Sequence, residues 1–573
     1  MAPLCLIGAL AAALAAVTVV ADDENRGMRV WAAVAYITHG ERTPPMGGLQ
    51  TILTPQGAQQ MQRQGSALRR RYLTGGANGS QSIDLGPIQD IARDAIDNAQ
   101  LTVVSQADEW VAAGATAFMQ GLYPPKADVY ASAAGRRVLG HDYADGSNTT
   151  DYPLGGYQYP LIRTVPPQES SSIGLQGDVG CPAWESEIET SLKTSRDTQN
   201  RVDQHRSLYQ ALFSTAPLQG VIPLVQASYE NAVEIYELVK YMYTHNETVF
   251  SGLDNARDTL ETLQALGFAS ERAKTSHNST NPDDSLNVLY SIAGRTIANQ
   301  VANELVGMLA ADGGGGKLTL LFGSARPLLS FLSVSGLLTS FNLASGPFSR
   351  LPEPGAAMIF EVVSDNRSST LGRFPGVGDL KVRFYYRATA NANETFETYS
   401  LFGSGSGGEI IPYASFIRRM RDRGSTPSGW CEICRPGDTV YWCASPSAAE
   451  PSISPVVGGI IGAALTAALG GIVTLVYHVV QKHGAGEASR EGSTGGFRGA
   501  QRGPADADVV LSKTGRGEER IGSWEMNGGG EDGVATLDVA RVMTKDDDRA
   551  WRQRDDGDGI SITGPPVKPR ESV

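Results

Sequence analysis

An uncharged stretch near the C-terminus most strongly constrains how this chain can fold. Val456–Val480 contains no Asp, Glu, Lys or Arg. About 25 residues at about 1.5 Å each cover about 37 Å, enough to cross a hydrocarbon core of about 30 Å with some tilt. A buried core helix is the alternative, but uncharged runs of this length are rare in soluble folds. We therefore predict one transmembrane helix over 456–480.

A second apolar stretch lies at the N-terminus. Leu4–Val20 is followed by Ala21 and then by Asp22-Asp23-Glu24. Small residues before an abrupt change to polar ones predict a signal peptide over 1–21. No Lys or Arg precedes the apolar run, so an uncleaved anchor is the alternative.

Charge on either side of the predicted span gives its orientation. Lys482 and His483 follow the span at once, whereas residues 444–455 carry only Glu450. By the positive-inside rule the C-terminus is cytosolic. The sequence predicts a single-pass type I membrane protein of the secretory pathway, at the plasma membrane or the vacuole, with a lumenal or extracellular ectodomain.

The remaining boundaries follow from composition. We predict an ectodomain over 22–443 and a short Pro- and Ser-rich stalk over 444–455. Residues 481–573 mix Gly, Ser and charges of both signs with few large apolar side chains, so we expect a disordered cytosolic tail. Within the span, Gly458-x-x-x-Gly462 could pack against a second copy, but Gly and Ala are common in such helices and we do not favour a homodimer.

Two further patterns agree with this organisation. All N-x-S/T acceptors precede the span, as expected of a glycosylated ectodomain: Asn78, Asn148, Asn246, Asn278, Asn366 and Asn393. Four cysteines lie on the same side: Cys181, Cys431, Cys434 and Cys443. With no second CxxC and no nearby His, disulfides are favoured over a metal site, and three pairings remain open.

The charge balance excludes one class of partner. The 573 residues include 61 acidic and 48 basic side chains, a net charge of −13. No overall basic surface for nucleic acid is expected from these numbers.

The pattern of apolar residues predicts the fold class. A continuous apolar run predicts a strand buried on both faces at Val30–Ile37, and strand-like runs follow at Leu318–Phe322, Met358–Val363 and Leu380–Tyr386. Helices are predicted from Thr54-Pro55 towards Tyr72, and over Ala107–Gln120, Pro223–His245 and Asp284–Ala310. Strands near both ends with helices between them indicate an α/β sandwich with a helical insertion over roughly 126–310.

The chemistry is expected where the first strand ends, since α/β sheets bind ligands at the carboxyl ends of their strands. The chain there reads Thr38-His39-Gly40-Glu41-Arg42-Thr43-Pro44. Gly allows a close approach of the backbone, His39 is a candidate nucleophile, and Arg42 can bind phosphoryl oxygens bidentately.

This segment resembles the Arg-His-Gly-x-Arg-x-Pro signature of the histidine acid phosphatases, the phytase-containing branch of the histidine phosphatase superfamily. Further resemblances occur in the same order, the last of them to fungal members: Gly121-Leu122-Tyr123-Pro124-Pro125, Leu318–Gly323 with Pro327-Leu328-Leu329, and Lys381–Tyr386 with Thr398-Tyr399-Ser400-Leu401-Phe402. The resemblance implies a phosphoglycerate-mutase-like α/β sandwich and phosphomonoester hydrolysis through a phosphohistidine.

The departures from the family pattern are at the catalytic positions. Thr38 stands where the family has its first arginine, and Trp110 where it has its third. Ser324-Ala325 replaces the late His-acid pair. Arg326 could return some positive charge, and Glu41 or Asp312 could in principle donate a proton.

These losses should remove most turnover. One missing oxyanion donor typically costs roughly 3–4 kcal/mol, and a missing general acid roughly 10²–10⁴-fold. We therefore expect a pseudoenzyme whose cavity binds a phosphorylated or anionic small molecule through Arg42 and His39. The alternative is an active acid phosphomonoesterase acting through His39. Neither requires a metal or an organic cofactor.

Overall fold

The computed structural model describes residues 28–75, 87–127, 129, 141–142, 144, 148–275, 284–365, 373–403 and 408–443. The strands are β1 Met28–Thr38, β2 Leu101–Gln106, β3 His141–Asp142, β4 Asn148–Thr149, β5 Ile162–Val165, β6 Leu318–Gly323, β7 Ala357–Asp365, β8 Leu380–Arg387, β9 Glu397–Thr398 and β10 Ile410–Pro412.

The longer α-helices are Pro55–Arg69, Glu109–Leu122, Arg196–Ser214, Ala232–His245, Ala256–Thr275, Ile292–Ala310, Ala325–Val334 and Tyr413–Arg423. Shorter ones are Pro153–Gly156, Ile173–Gln176, Pro182–Ser186, Glu247–Gly252, Ser285–Tyr290, Ser340–Ala344 and Pro427–Cys434. Single turns of π-helix occupy Arg70–Thr74 and Glu187–Leu192, and 3₁₀ turns occupy Ser170–Ser172, Tyr229–Asn231, Pro347–Ser349, Val377–Asp379 and Gly437–Thr439.

One mixed sheet forms the centre of the described fold. Its strand order is β10-β8-β7-β1-β6-β2-β5, and β9 pairs with β8. β1 runs parallel to β6, and β2 runs parallel to both β6 and β5. β7, β8 and β10 add an antiparallel half. The mixed α/β class predicted from the sequence is confirmed.

The position of β1 explains why its segment Val30–Ile37 is apolar throughout. Ala32, Val34 and Tyr36 contribute to one hydrophobic core, and the alternating Ala33, Ala35 and Ile37 contribute to the other. A strand with side chains buried on both faces needs an unbroken apolar run. β1 therefore lies in the middle of the sheet, between two cores.

Helices cover both faces of the sheet. Ile292–Ala310, Ala325–Val334 and Tyr413–Arg423 pack into one core, while Pro55–Arg69 and Glu109–Leu122 pack into the other. Thr54 caps Pro55–Arg69 as predicted, because its side chain accepts a hydrogen bond from the Gly57 amide at 2.9 Å.

Two long predicted helices have different bounds in the structure. The helix predicted over Pro223–His245 begins only at Ala232, after the 3₁₀ turn Tyr229–Asn231. The helix predicted over Asp284–Ala310 is divided at Ser291. There the Ser291 hydroxyl donates to the Asn287 carbonyl at 2.6 Å, a local bond that competes with regular helical pairing.

The central region is not purely helical. β5 lies within the predicted insertion of 126–310 and pairs with β2 at the edge of the main sheet. β2 itself was not predicted, although Leu101-Thr102-Val103-Val104 is a short run rich in β-branched residues. Ile292–Ala310 also packs on the sheet. The stretch predicted as a helical insertion therefore also contains a strand of the main sheet and a helix that packs on that sheet.

Two disulfides resolve the pairing that the sequence left open. Cys181 bonds to Cys434 across a separation of 253 residues, and Cys431 bonds to Cys443 across 12. The Cys181–Cys434 disulfide joins the helices Pro182–Ser186 and Pro427–Cys434 beside Trp184 and Trp430. The C-terminal end of the described fold is thereby tied to its middle.

Several predicted segments lie outside the described residues: the signal peptide over 1–21, the stalk over 444–455, the membrane span over 456–480 and the tail over 481–573. Among the helices that the structure describes, none combines the length and the apolar composition needed to cross a bilayer.

Candidate functional site

The loop carrying His39 begins where β1 ends at Thr38. The backbone amide of His39 donates to the Gly323 carbonyl at 2.9 Å, and its carbonyl accepts from the Gly355 amide at 3.0 Å. The carboxyl end of β1 is thus held against the ends of β6 and of the loop before β7. His39 occupies the sheet edge at which the sequence predicted the chemistry.

Gly40 is required for packing against a helix. A Cβ atom at Gly40 would lie 2.3 Å from the Gly57 carbonyl oxygen, and one at Gly57 would lie 2.0 Å from the Glu41 carbonyl oxygen. The sequence suggested that Gly40 lets the backbone approach a ligand. In the structure the close approach is to the first turn of Pro55–Arg69.

The ring of His39 is oriented by its own loop. Its Nδ1 lies 2.7 Å from the Gly40 carbonyl oxygen, which can only accept, so Nδ1 carries the proton. Burial, together with the nearby Arg42 charge, lowers the pKa of His39 to about 4. Near neutral pH the ring is therefore uncharged, with the Nε2 lone pair unprotonated.

Arg42 is held by a carboxylate. Its Nη2 donates to Glu237 Oε2 at 3.0 Å, and its guanidinium lies 5.6 Å from the centre of the Trp110 ring. Trp110, at the position where the resemblance implies a third arginine, thus packs against the arginine that remains. It adds a cation–π contact but no hydrogen-bond donor directed at a phosphoryl group.

The segment after β6 carries no His-acid pair. Ser324 precedes the first turn of Ala325–Val334, and its carbonyl accepts from the Tyr36 hydroxyl at 3.0 Å. Arg326 follows and binds Asp178 at 3.1 Å as well as Glu271. The positive charge that Arg326 was expected to return is therefore shared by two carboxylates.

Two other acids near His39 are also engaged. Glu41 accepts from the Thr54 hydroxyl at 2.8 Å and lies 2.7 Å from His245 Nε2. Glu353 binds the Lys240 ammonium at 2.6 Å. Asp312, the other proton donor considered from the sequence, lies in the turn after Ile292–Ala310 and does not line the cavity.

A cavity of about 300 Å³ joins these groups. Thr38, His39, Arg42, Ser324 and Ala325 all line it, whereas Trp110 contacts Arg42 without lining the cavity. Its charged lining residues are Glu41, Arg42, Asp178, Glu234, Glu237, Lys240, Glu271, Arg326 and Glu353. Six carboxylates face three permanent cations, a formal excess of three negative charges.

Sequence reasoning missed most of these carboxylates. Glu234, Glu237 and Tyr241 recur at three- and four-residue spacing on a largely buried helix, a signal that could have shown a polar face. Asp178, Glu271 and Glu353 come from distant segments without a comparable local pattern. Only the folded chain shows that they meet.

The predicted glycosylation sites are distributed as follows. Asn246 caps the helix Glu247–Gly252 and Asn393 is exposed, whereas Asn148 lies in β4. Asn78, Asn278 and Asn366 lie outside the described residues. In the part of the chain that the structure describes, no group of three or more His, Cys, Asp or Glu side chains is arranged to hold a metal ion.

A central sheet between helices, with His39 and Arg42 at the carboxyl end of its middle strand, defines the class of a histidine-phosphatase-like α/β protein. The family model described as "Histidine phosphatase superfamily (branch 2)" matches residues 41–374, and the chain belongs to this family. The match begins two residues after His39.

Solved structures similar to this chain include phytases. The apo phytase of Hafnia alvei is 13% identical with a TM-score of 0.42, covering 71% of this chain and 98% of its own. The phytase of Citrobacter braakii is 12% identical with a TM-score of 0.44, covering 71% and 99%.

A further similar structure is the multiple inositol polyphosphate phosphatase of Bifidobacterium longum in complex with inositol hexasulfate. It is 13% identical with a TM-score of 0.38, covering 70% of this chain and 93% of its own. No curated protein matches the chain.

Proposed function

We propose that this protein is a membrane-anchored pseudoenzyme of the histidine phosphatase superfamily that binds or senses a small molecule at a membrane of the secretory pathway. The observation that carries the proposal is that the arginines around His39 are paired with carboxylates. Arg42 and Arg326 are each bound by carboxylates, and Thr38, Trp110, Ser324 and Ala325 supply no replacement charge.

The physical argument concerns the transferred phosphoryl group. Its negative charge is stabilised by preorganised cations in a dry site, and its leaving oxygen needs a proton. Here an excess of carboxylates surrounds His39, and the residues after Gly323 are Ser and Ala. The site disfavours both approach of a phosphate and departure of an alkoxide.

The membrane anchor and the glycosylated ectodomain are part of the same proposal. The uncharged run Val456–Val480 supports the anchor, and the positions of the N-x-S/T acceptors before it support a lumenal or extracellular ectodomain. Both disulfides lie on that side, in keeping with an oxidising compartment. The plasma membrane and the vacuole are the two destinations we propose.

One observation favours an active phosphomonoesterase as a second candidate. His39 is neutral and its free Nε2 is set by the Nδ1 bond to Gly40, the state that a nucleophile requires. In that reaction Nε2 would attack phosphorus and the bond to the leaving oxygen would break. The leaving alkoxide would take its proton from water or an acid not yet assigned, and water would then hydrolyse the phosphohistidine.

A phosphatase assay separates the two candidates. The full-length chain and a His39→Ala variant are given p-nitrophenyl phosphate between roughly pH 3 and 7, the range of carboxylate and imidazole titration. We expect equal background rates. Hydrolysis that His39→Ala abolishes and His205→Ala retains would refute the pseudoenzyme, as would an acid-labile phosphohistidine at His39.

Restoration tests whether the cavity is otherwise competent. Thr38→Arg, Ser324→His and Ala325→Asp together return the missing charge and proton donor. If the carboxylates oppose phosphate as argued, activity should rise further when Glu237→Gln is added, because that change frees Arg42. A triple variant that is already fully active would contradict the role assigned to Glu237.

A further inference from the structure

We propose that the cavity beside His39 binds a small aliphatic amine carrying more than one positive charge, rather than a phosphorylated compound. The inference rests on the proposed function, since it takes the cavity to be a binding site without phosphatase turnover. It replaces the anionic ligand expected from Arg42 and His39 with a ligand of opposite charge.

Each cation of the cavity is bound by at least one carboxylate, although Arg42 Nε has no hydrogen-bond partner among the described residues. Arg42 binds Glu237 at 3.0 Å and Lys240 binds Glu353 at 2.6 Å. Arg326 binds both Asp178 and Glu271. A phosphate that binds Arg42, Lys240 or Arg326 would lie beside the carboxylate already paired with that cation and would be repelled by it.

Some of the carboxylates, by contrast, have oxygens without a hydrogen-bond partner among the described residues. Asp178 Oδ1, Glu234 Oε2 and Glu271 Oε2 are buried and have no hydrogen-bond partner among the described residues. Asp178 and Glu271 are each only 4% exposed, and both line the cavity. A buried acceptor left unpaired is costly, more so when it is charged. An ammonium group, with three donors and no acceptor, is a ligand able to satisfy such oxygens.

The carboxylates also act on one another. Burial raises the pKa of Glu237, Arg42 opposes this, and the neighbouring Glu234 and Glu271 raise it further. Glu234, Glu237 and Glu271 therefore create one region of negative potential. They belong to two helices, Ala232–His245 and Ala256–Thr275. A mobile cation entering the cavity would be attracted to all three.

The walls suit an aliphatic chain between charged ends. The apolar lining includes Val233, Leu329, Leu351 and neighbouring prolines. Tyr236 and Tyr241 add aromatic surface, and the Lys240 ammonium already lies 5.6 Å from the centre of the Tyr236 ring. Aromatic faces attract cations, and methylene groups pack against apolar side chains. A volume of about 300 Å³ lies at the lower end of the range for small-molecule sites.

Isothermal titration calorimetry of the full-length chain with spermidine and, separately, with inorganic phosphate tests the proposal. At pH 7 and low ionic strength we expect saturable binding of one spermidine and weaker or undetectable binding of phosphate. Added salt should weaken the spermidine interaction. Absence of spermidine binding, or phosphate binding as tight or tighter, would overturn the proposal.

Glu234→Gln locates the binding. Glu234 lines the cavity and forms no ion pair among the described residues, so its neutralisation removes charge without stranding a cation. We expect spermidine affinity to fall by about 5–10-fold, the effect of losing about 1 kcal/mol. The matched control is Glu230→Gln, an exposed acid four residues earlier that does not line the cavity. Equal losses in both variants would show general surface attraction and refute the site.

Glu237→Gln gives a sharper test because two affinities should move in opposite directions. Loss of the carboxylate should weaken spermidine binding, while release of Arg42 should strengthen phosphate binding. A change of both affinities in the same direction would contradict the charge argument. Thermal unfolding of each variant confirms that it is folded.

The phosphatase assay keeps the two proposals distinguishable. His39-dependent hydrolysis together with spermidine binding would refute the pseudoenzyme but leave the amine site standing. No hydrolysis and no spermidine binding would leave the pseudoenzyme standing and refute the amine site.

Discussion

Two buried ionic clusters of this protein have opposite charge balance. In the first, Glu361 of β7 accepts from Arg71 Nε at 2.7 Å, from the Tyr72 hydroxyl at 2.9 Å and from Arg383 Nη2 at 2.9 Å. In the second, the single guanidinium of Arg326 forms ion pairs with the carboxylates of Asp178 and Glu271.

The difference separates a structural cluster from a candidate binding site. The Glu361 cluster (Arg71, Tyr72, Glu361, Arg383) lies against the sheet with a Tyr385 face 4.5 Å from Arg71, and both carboxylate oxygens are paired. Although burial alone would raise the pKa of Glu361, Arg71 and Arg383 hold it below its ordinary value. The Arg326 cluster (Asp178, Glu271, Arg326) opens on the cavity and keeps unpaired carboxylate oxygens.

The largest effect is expected from breaking the structural cluster. Glu361→Gln removes the charge shared by two buried guanidinium groups, and loss of one partner of a buried pair typically costs about 3–5 kcal/mol. Urea denaturation should show this loss. The control is Asp365→Asn on the same strand, which breaks an exposed pair with Lys381 and should cost less than about 1 kcal/mol. Equal losses would show that burial does not distinguish the two pairs.

Lowering the pH should destabilise the folded chain through His39, which lines the cavity. The pKa of His39 is about 4 in the folded chain and about 6.5 in the unfolded chain, so the unfolded chain binds the proton first as pH falls. The free energy of unfolding should therefore fall as the pH is lowered from about 6.5 to about 4. The fall is at most about 3 kcal/mol. Subtracting the unfolding free energies of His39→Gln from those of the unsubstituted chain at each pH isolates this loss. Parallel curves for the two chains would contradict it.

A smaller loss is expected at the Arg326 cluster. After Glu271→Gln, Arg326 still binds Asp178, so we expect a cost of about 1–2 kcal/mol, below that of Glu361→Gln. Glu261→Gln on the same helix breaks only an exposed pair with Arg257 and serves as the control. A loss as large as that of Glu361→Gln would mean that both carboxylates are needed for folding, and the comparison of the two clusters would fail.

The central fold could be predicted in part from the sequence. β1 is recognisable from the unbroken apolar run Val30–Ile37, and β6, β7 and β8 from apolar runs interrupted by only one or two polar residues. β2 is harder to recognise because Ser105 and Gln106 end its apolar run, and β5 because only two of its four residues are apolar. The division at Ser291 depends on one side-chain hydrogen bond, which periodicity does not register.

Less of the candidate site than of the fold could be predicted from the sequence. His39 and Arg42 are recognisable because they are neighbours in a short motif at a strand end. Glu237, which neutralises Arg42, is 195 residues away in the chain. Glu271 and Asp178 meet Arg326 from 55 and 148 residues away. No local pattern records such pairings.

The sequence by itself determined the α/β class, the position of the loop bearing His39 and the presence of Ser324-Ala325 directly after β6, because each depends on the identity or spacing of neighbouring residues. The tertiary structure alone decided the disulfide pairing and the electrostatic character of the cavity. Coulomb interactions depend on distances in space, and residues from six separate segments set the sign of the potential around His39 only after the chain has folded.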